Sequence, residues 1–316
     1  MLDQEQSERR EARRRAVEQR RQQVRRRRLG ALLVVLAVVV VVVVVVVATS
    51  GGSSSSSPSS RSSSASRSSD RRARERGAQG QEAVTPAQRA AVERVLGYLP
   101  AITKGGSKVK DVALTFDDGP GPDTPRIVSI LRRYHAPATF FVLGRSAQSH
   151  AGRVGLRAEA DGGFVIGDHT MTHPMLASMG EAGQKGEIVG QARLLHQMAK
   201  PRPILFRPPF GSFNATTLGV LRTEHMLGVL WTADTKDYEM PGKKQIIYTA
   251  VSAAQPGAIV LMHDGPTGRS ETAEALPRII TRLRQRHYKL VTVPQMMREN
   301  PPARGTPVPT SLSGGG

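Results

Sequence analysis

Residues 111–120 of this chain read DVALTFDDGP, an apolar strand-like run that ends in two adjacent aspartates. Such runs recur along the chain, at 111–116, 138–143, 164–166, 204–206, 227–232, 258–262 and 289–293. Helical patterns lie between several of them, at 125–134, 181–198, 215–225 and 271–286. Alternation of this kind indicates parallel strands joined by crossover helices. It predicts an α/β fold, a distorted (β/α) barrel with about seven parallel strands, and it leaves an open sheet as the alternative.

The residues at the ends of these runs are of the types that enzymes use. Polar residues follow five of the runs, namely Asp117-Asp118, Asp168-His169, Arg207, Asp234 and His263-Asp264. In parallel α/β folds the carboxyl ends of the strands meet on one face, where active sites form. Packing offers little reason for charge at so many strand ends, so we expect these side chains to share a site.

Two segments contain candidate metal ligands. Asp117 and Asp118 would repel each other and lose solvation at a buried strand end, and a cation would relieve both costs. The alternative is an Asp-Gly-Pro turn in which one aspartate caps a helix. In HTMTHP, His169 and His173 could bind one cation, on a turn because Pro174 disfavours helix; otherwise each makes its own local hydrogen bond. Two histidines and one carboxylate suit a catalytic zinc with open positions, and octahedral metals could also accept them.

The segment RPPFG has an arginine followed by a loop that two prolines stiffen. Arg207 could orient a carboxylate in bidentate fashion. The backbone N–H groups of Phe210 and Gly211 could face an oxyanion. The alternative is a surface turn whose arginine is solvated.

The segment LMHD contains a candidate proton donor. His263 could donate a proton near neutral pH, and Asp234 could hold its imidazole ring. The adjacent Asp264 competes for that role. The alternative is a buried histidine with purely structural hydrogen bonds.

In this order, the segments TFDDGP, HTMTHP, RPPFG and LMHD resemble those of the polysaccharide deacetylase family, the NodB homology domain. The segment APATFFVLG at 136–144 is also similar to family members. The resemblance covers roughly residues 109–297 and implies a distorted barrel with fewer than eight strands. It further implies that Asp117 is the general base, oriented by Arg207, and that His263 is the general acid, tuned by Asp234.

The resemblance also implies a cofactor and a substrate pocket. A divalent metal, Zn²⁺ before Co²⁺ or another ion, would be held by Asp118, His169 and His173. Trp231 and Leu261 match positions that line the acetyl pocket.

Two positions depart from the family pattern. Tyr238 follows Asp237 where many relatives have Trp, which predicts a changed sugar contact. Asp168 is often Asn in relatives, and we expect its carboxylate to support the first metal histidine.

The N-terminal segments differ in composition from the rest of the chain. A basic segment at 1–28, with eleven arginines and five acidic residues, precedes an apolar segment at 29–48. Within it, the nineteen residues 30–48 would span about 28 Å as a helix, close to the bilayer core. The arginines at 25–28 predict a cytoplasmic N-terminus and a single-pass membrane anchor, with the remainder outside the cytoplasm. A cleaved signal peptide, which would leave a secreted protein, and a twin-arginine signal are the alternatives.

Composition predicts the remaining boundaries. We expect a flexible Ser/Gly/Arg-rich linker at 49–84, a helix and connector at 85–107, the catalytic domain at 108–297 and a disordered tail at 298–316. The helix should be capped by Thr85, begin with Pro86 in its first turn, and bury Ala90, Val92, Val95 and Leu96.

Charge and cysteine content exclude several function classes. The net charge of +19 is typical of nucleic-acid binding, but much of it lies outside 108–297, so we expect no nucleic-acid partner. The chain has no cysteine, which excludes disulfides, Cys-ligated zinc and thiol nucleophiles.

These expectations combine into one function. We expect metal-dependent removal of N-acetyl groups from an acetylated wall polysaccharide, with peptidoglycan N-acetylglucosamine favoured over chitin-like oligomers. The alternatives are a non-catalytic glycan-binding protein on the same scaffold, and hydrolysis of an O-acetyl ester or a cyclic amide.

Overall fold

The structure of the protein is a computed structural model that describes residues 83–199 and 202–310. The basic segment 1–28, the predicted anchor 29–48 and nearly all of the linker 49–84 lie outside the described residues. Across the part that is described, no helix has the length and apolar character needed to cross a bilayer.

One sheet organises the described residues. It contains nine strands: β1 (Ala101–Ile102), β2 (Asp111–Asp117), β3 (Thr139–Val142), β4 (Val165–Asp168), β5 (Leu205–Phe206), β6 (Leu227–Val229), β7 (Ala233–Asp234), β8 (Ala258–His263) and β9 (Lys289–Val291). Their spatial order is β1-β6-β5-β4-β3-β2-β8-β7, with β9 also paired to β2, and every pair is parallel. The predicted parallel α/β fold is confirmed, as an incomplete barrel.

Helices pack on both faces of this sheet, since alternate residues of β2 share core clusters with different helices. They are α1 (Pro86–Leu96), α2 (Thr124–Arg133), α3 (Gly144–Gln148), α4 (His150–Asp161), α5 (Glu181–Ala199), α6 (Ala215–Thr223), α7 (Lys243–Ser252), α8 (Ser270–Gln285) and α9 (Val293–Glu299). Short 3₁₀ turns occur at Leu176–Ser178, Pro209–Gly211 and Asp237–Glu239.

The predicted strand at 227–232 is wrong at its carboxyl end, and the difference explains how the sheet curves. The strand stops at Val229, and residues 230–232 cross to the other end of the strand order. The Leu230 N–H donates to the Ile102 carbonyl (2.7 Å), whereas the Thr232 N–H donates to the Ile259 carbonyl (2.9 Å). Residues two apart lie within about 7 Å, so the two ends of the sheet approach each other here.

The first helix is part of the domain. Thr85 and Gln88 form a capping box and Pro86 occupies the first turn, which confirms the predicted helix start. The buried face consists of Ala91, Val92, Val95 and Leu96, and the predicted Ala90 is exposed instead. Val92, Val95 and Leu96 share a core cluster with residues of β1, β6 and α9. The described domain therefore includes residues before the predicted boundary at 108.

The predicted start of the disordered tail, at residue 298, is wrong. Residues 298–299 end α9, and Asn300 is buried. The Asn300 side-chain amide donates to the Gly106 carbonyl (2.8 Å) and to Asp111 Oδ1 (2.8 Å). These hydrogen bonds fasten the chain after α9 to the segment before β2 and to Asp111 at its start.

Candidate active site

Strand register brings the predicted site residues to one edge of the sheet. In the central pair of strands, Asp117 of β2 lies opposite His263 of β8. The Arg207 N–H donates to the Asp168 carbonyl (2.9 Å), so β5 delivers the arginine beside β4. His169 follows β4 directly, and its N–H donates to the Val142 carbonyl (3.0 Å). The convergence predicted from strand ends is therefore present.

Asp118, His169 and His173 come together beside β2. Each offers one ligand atom, and these atoms lie within 4.8 Å of one another. Asp118 Oδ1 lies 3.5 Å from His169 Nε2 and 3.2 Å from His173 Nε2. This oxygen is buried and has no hydrogen-bond partner among the described residues. An unpartnered buried carboxylate oxygen facing two imidazole nitrogens fits a divalent cation.

The protonation of these groups also fits a cation. His169 Nδ1 lies 2.7 Å from the Arg207 carbonyl, so the proton belongs on Nδ1 and the Nε2 lone pair faces the site. Burial lowers the pKa of His173 to about 4. The His173 ring is thus neutral at pH 7, and its contact with Asp118 is not an ion pair. Burial opposes ionisation of Asp118, but the neighbouring histidines together outweigh it and hold the pKa of Asp118 below its ordinary value.

The buried Arg207 side chain holds Asp117, the aspartate that precedes the candidate ligand Asp118. Arg207 Nη1 donates to Asp117 Oδ1 (2.7 Å) and to Thr115 Oγ1 (2.8 Å). Its Nε donates to the Val229 carbonyl (3.0 Å) and its Nη2 to the Leu230 carbonyl (3.2 Å). Arg207 is fully buried, and burial lowers its pKa while the Asp117 carboxylate raises it. Asp117 Oδ2 remains on the side of the site, 3.7 Å from His169 Nε2.

His263 is held by an aspartate that the sequence analysis did not select. His263 Nδ1 lies 2.7 Å from Asp237 Oδ1, and the His263 N–H donates to Asp237 Oδ2 (2.9 Å). Thr272 Oγ1 donates to the same oxygen (2.6 Å). Burial would lower the pKa of His263, but the hydrogen bond and charge of Asp237 raise it to about 9. The imidazole is therefore protonated at neutral pH.

The prediction that Asp234 holds this imidazole is wrong. Asp234 Oδ1 accepts a hydrogen bond from the Lys236 N–H (2.8 Å). Lys236 has a left-handed backbone (φ 50°), which turns the chain so that Asp237 reaches His263. Asp264, the predicted competitor, accepts from Thr124 Oγ1 (2.5 Å). The signal available in the sequence was the second aspartate of TADTKD, three residues after the first.

The remaining predicted residues lie near the candidate metal ligands, Arg207 and His263. The Phe210 ring is exposed and packs edge-on against His173, with centroids 4.6 Å apart. The Gly211 N–H donates to the Pro208 carbonyl (3.0 Å), which leaves the Phe210 N–H as the oxyanion candidate of the two. The Trp231 ring lies 5.7 Å from the Arg207 guanidinium. Leu261 is buried two residues before His263.

Asp168 does not contact the His169 ring, contrary to expectation. Its Oδ1 accepts from the Thr170 N–H (2.8 Å), and the Arg207 carbonyl takes the ring nitrogen instead. Asp168 is fully buried, and burial raises its pKa well above the ordinary value. Its carboxyl group therefore shapes the loop that carries the two histidines.

Four residues of the site have a left-handed backbone that non-glycine residues seldom adopt. They are Asp118 (φ 69°), Thr170 (φ 69°), His173 (φ 69°) and Phe210 (φ 58°). Each such residue costs on the order of 1–3 kcal/mol and persists only where its surroundings impose it. Three of them, Asp118, Thr170 and His173, lie in the two segments that carry the candidate ligands.

Similar proteins are known for most of the described chain. The sequence profile of the family described as Polysaccharide deacetylase matches residues 104–227. A peptidoglycan-N-acetylglucosamine deacetylase of Bacillus cereus is 35% identical over 205 residues, covering 64% of this chain and 94% of the relative. A chitooligosaccharide deacetylase of Sinorhizobium fredii is 31% identical over 213 residues, covering 63% and 98%.

Solved structures show the same likeness. A peptidoglycan N-acetylglucosamine deacetylase has a TM-score of 0.61 and 30% identity, covering 66% of this chain and 97% of that one. A pseudoenzyme of family CE4 from Bacillus anthracis has a TM-score of 0.59 and 28% identity, covering 62% and 68%. Because the fold occurs with and without activity, catalysis depends on which residues a chain of this fold carries.

Proposed function

This chain belongs to the polysaccharide deacetylase family, and we propose that it hydrolyses N-acetyl groups of a wall polysaccharide with a divalent metal, releasing acetate. The observation that carries the proposal is the grouping of Asp118, His169 and His173 beside a second carboxylate, Asp117, with the protonated His263 on the neighbouring strand. This arrangement would provide a cation site, a base and an acid at one edge of the sheet.

Asp118, His169 and His173 would hold the metal, with Zn²⁺ favoured over Co²⁺ because two imidazoles and one carboxylate suit zinc. When bound, the ion would polarise the acetamide carbonyl and lower the cost of negative charge on its oxygen. The Arg207 carbonyl keeps the His169 ring in the orientation that this requires.

Asp117 is the proposed general base. It takes a proton from a water molecule as the water oxygen attacks the acetamide carbon. Arg207 fixes one oxygen of Asp117, so the other faces the site. The Phe210 N–H is the proposed donor to the developing oxyanion.

His263 is the proposed general acid. An amine leaves readily only if it is protonated as the carbon–nitrogen bond breaks. With a pKa of about 9, the His263 imidazolium carries that proton at neutral pH. Asp237 stabilises the positive charge of the imidazolium until its proton is transferred to the leaving nitrogen. The products are acetate and a free amino sugar.

Peptidoglycan N-acetylglucosamine is the proposed substrate, ahead of chitin-like oligomers. Relatives named for each substrate have similar identity to this chain. The preference for peptidoglycan rests on the proposed membrane anchor at 29–48, which would hold the domain beside the wall. A non-catalytic role is disfavoured because the base, the acid and all three candidate ligands are present together.

The test is acetate release from purified wall and from chitin oligomers, with and without chelator and added Zn²⁺. Wild-type protein should release acetate, chelator should stop release, and Zn²⁺ should restore it. Asp117→Asn should lower release by about 10²–10⁴-fold while its metal content stays at the wild-type level. Normal turnover by this variant would rule out Asp117 as the base. Acetate release that is insensitive to chelator would rule out a role for the metal.

A further inference from the structure

A groove of about 550 Å³ lies between α7 and α8, apart from the proposed catalytic cleft. Lys243, Lys244 and Tyr248 line it from α7, and Glu274, Arg278 and Arg282 line it from α8. On each helix the lining residues recur at intervals of four, so they form a row along the face beside the other helix.

The two helices contact each other near their starts and near their ends, and the cations between these two contacts are unpaired among the described residues. Lys243 Nζ lies 3.2 Å from Glu274 Oε2, near the start of both helices. Near their ends, Arg286 Nη1 donates to the Val251 carbonyl. In between, three exposed cations have no hydrogen bond or ion pair with any residue in the described part of the chain: Lys244, Arg278 and Arg282.

The unpaired cations are unfavourable for the protein alone. Arg278 and Arg282 lie one helical turn apart, and like charges at this spacing destabilise a helix by a few tenths of a kcal/mol. The acid at the preceding position of the row, Glu274, is already paired with Lys243. An anionic partner outside the described chain would relieve this repulsion.

An exposed aromatic ring accompanies the cations. Tyr248 is 65% exposed, more than any other large hydrophobic side chain of the described residues. It lies one turn after Lys244 on α7. A ring with an apolar face and a polar hydroxyl is suited to contact a partner that is itself part apolar and part polar, such as a sugar.

We propose that this groove binds an acidic saccharide polymer, with its anionic groups on Lys244, Arg278 and Arg282 and a sugar ring on Tyr248. The groove begins just after the turn that contains Asp237, because α7 follows that turn. Gly242, which precedes α7, is fixed to α8 by its N–H donating to Glu271 Oε2 (2.8 Å). The bound polymer would keep the cleft beside the wall, and this binding does not depend on the deacetylation chemistry.

The test compares two triple variants of the full-length chain with the same change of charge. The groove variant is Lys244→Gln with Arg278→Gln and Arg282→Gln. The control is Arg126→Gln with Arg157→Gln and Lys185→Gln, exposed cations of α2, α4 and α5 that also form no ion pair among the described residues. Affinity is measured for a sugar-phosphate polymer and for a uronic-acid polymer, which distinguish phosphate from carboxylate as the preferred group.

The groove variant should bind at least one polymer about fivefold more weakly than the control does. Tyr248→Ala should weaken binding of the saccharide polymers and leave inorganic polyphosphate unaffected. Equal weakening in both triple variants would overturn the proposal, as would selective loss of DNA or anionic vesicles with saccharide binding intact. Deacetylation of a neutral chitin oligomer should be unchanged in all variants, so failure here is distinct from failure of the proposed reaction.

Discussion

At the residue scale, His263 sets the pH dependence that the site should show. Its folded-state pKa of about 9 lies above the ordinary histidine value. The stabilisation from Asp237 is therefore fully present below about pH 6.5, the unfolded value, and is lost as pH rises through about 9. Because the proposed general acid must be protonated, kcat should fall over the same alkaline range.

Asp237→Asn should move this alkaline limb to lower pH and reduce kcat by about 10–100-fold, because the imidazolium loses its carboxylate partner. A pH–rate profile from pH 5 to 11 measures both effects. Asp234→Asn is the matched control, since Asp234 accepts from the Lys236 N–H rather than from the imidazole. A larger shift in the control than in Asp237→Asn would contradict the assignment of Asp237.

Arg207→Lys should lower the free energy of unfolding by about 3 kcal/mol, because a buried carboxylate and buried carbonyls lose donors that lysine cannot replace. Urea unfolding measures the change. The comparison is Arg202→Lys, at an arginine whose side chain is 45% exposed and paired with Glu224, where the expected change is under about 0.5 kcal/mol. Similar losses in the two variants would show that Arg207 is not enclosed as described.

At the scale of elements, strands within a continuous apolar run were predicted from the sequence, and two strands of two residues, β1 and β7, were not. β2 and β8 are continuous apolar runs buried along their length, and their predicted bounds differ from the observed ones by one residue. β1 and β7 have two residues each, too few for any periodicity, and their pairing depends on distant strands. The prediction of Asp234 instead of Asp237 was wrong for a similar reason. The backbone turn at Lys236, which sequence periodicity does not reveal, decides which carboxylate reaches His263.

Helix α1 offers a test of whether the segment before β1 belongs to the cooperative fold. Thr85→Ala removes the side-chain acceptor for the Gln88 N–H and should cost about 1 kcal/mol in the free energy of unfolding. Thr281→Ala, at an exposed position within α8, should change it by less than about 0.5 kcal/mol. If α1 were an independent appendage, Thr85→Ala would leave the main unfolding transition unchanged.

At the scale of the whole molecule, the candidate metal site ties together segments that are far apart in sequence. Asp118 follows β2, whereas His169 and His173 follow β4. The ligand types were predictable because their motifs are contiguous in sequence. The groups that orient the ligands were not predictable. The Arg207 carbonyl, which orients His169, follows β5 and can be identified only in the folded chain.

Metal binding should therefore stabilise the folded molecule as a unit. At a metal concentration about 100 times the dissociation constant, Zn²⁺ should add about 2.7 kcal/mol to the free energy of unfolding. For a domain of this size that raises Tm by about 5–10 °C. His173→Gln should remove most of the rise because it deletes one ligand, whereas His196→Gln, at an exposed histidine of α5, should retain it. Thermal unfolding with Zn²⁺ and with chelator measures both, and an equal rise in the two variants would place the stabilising ion elsewhere.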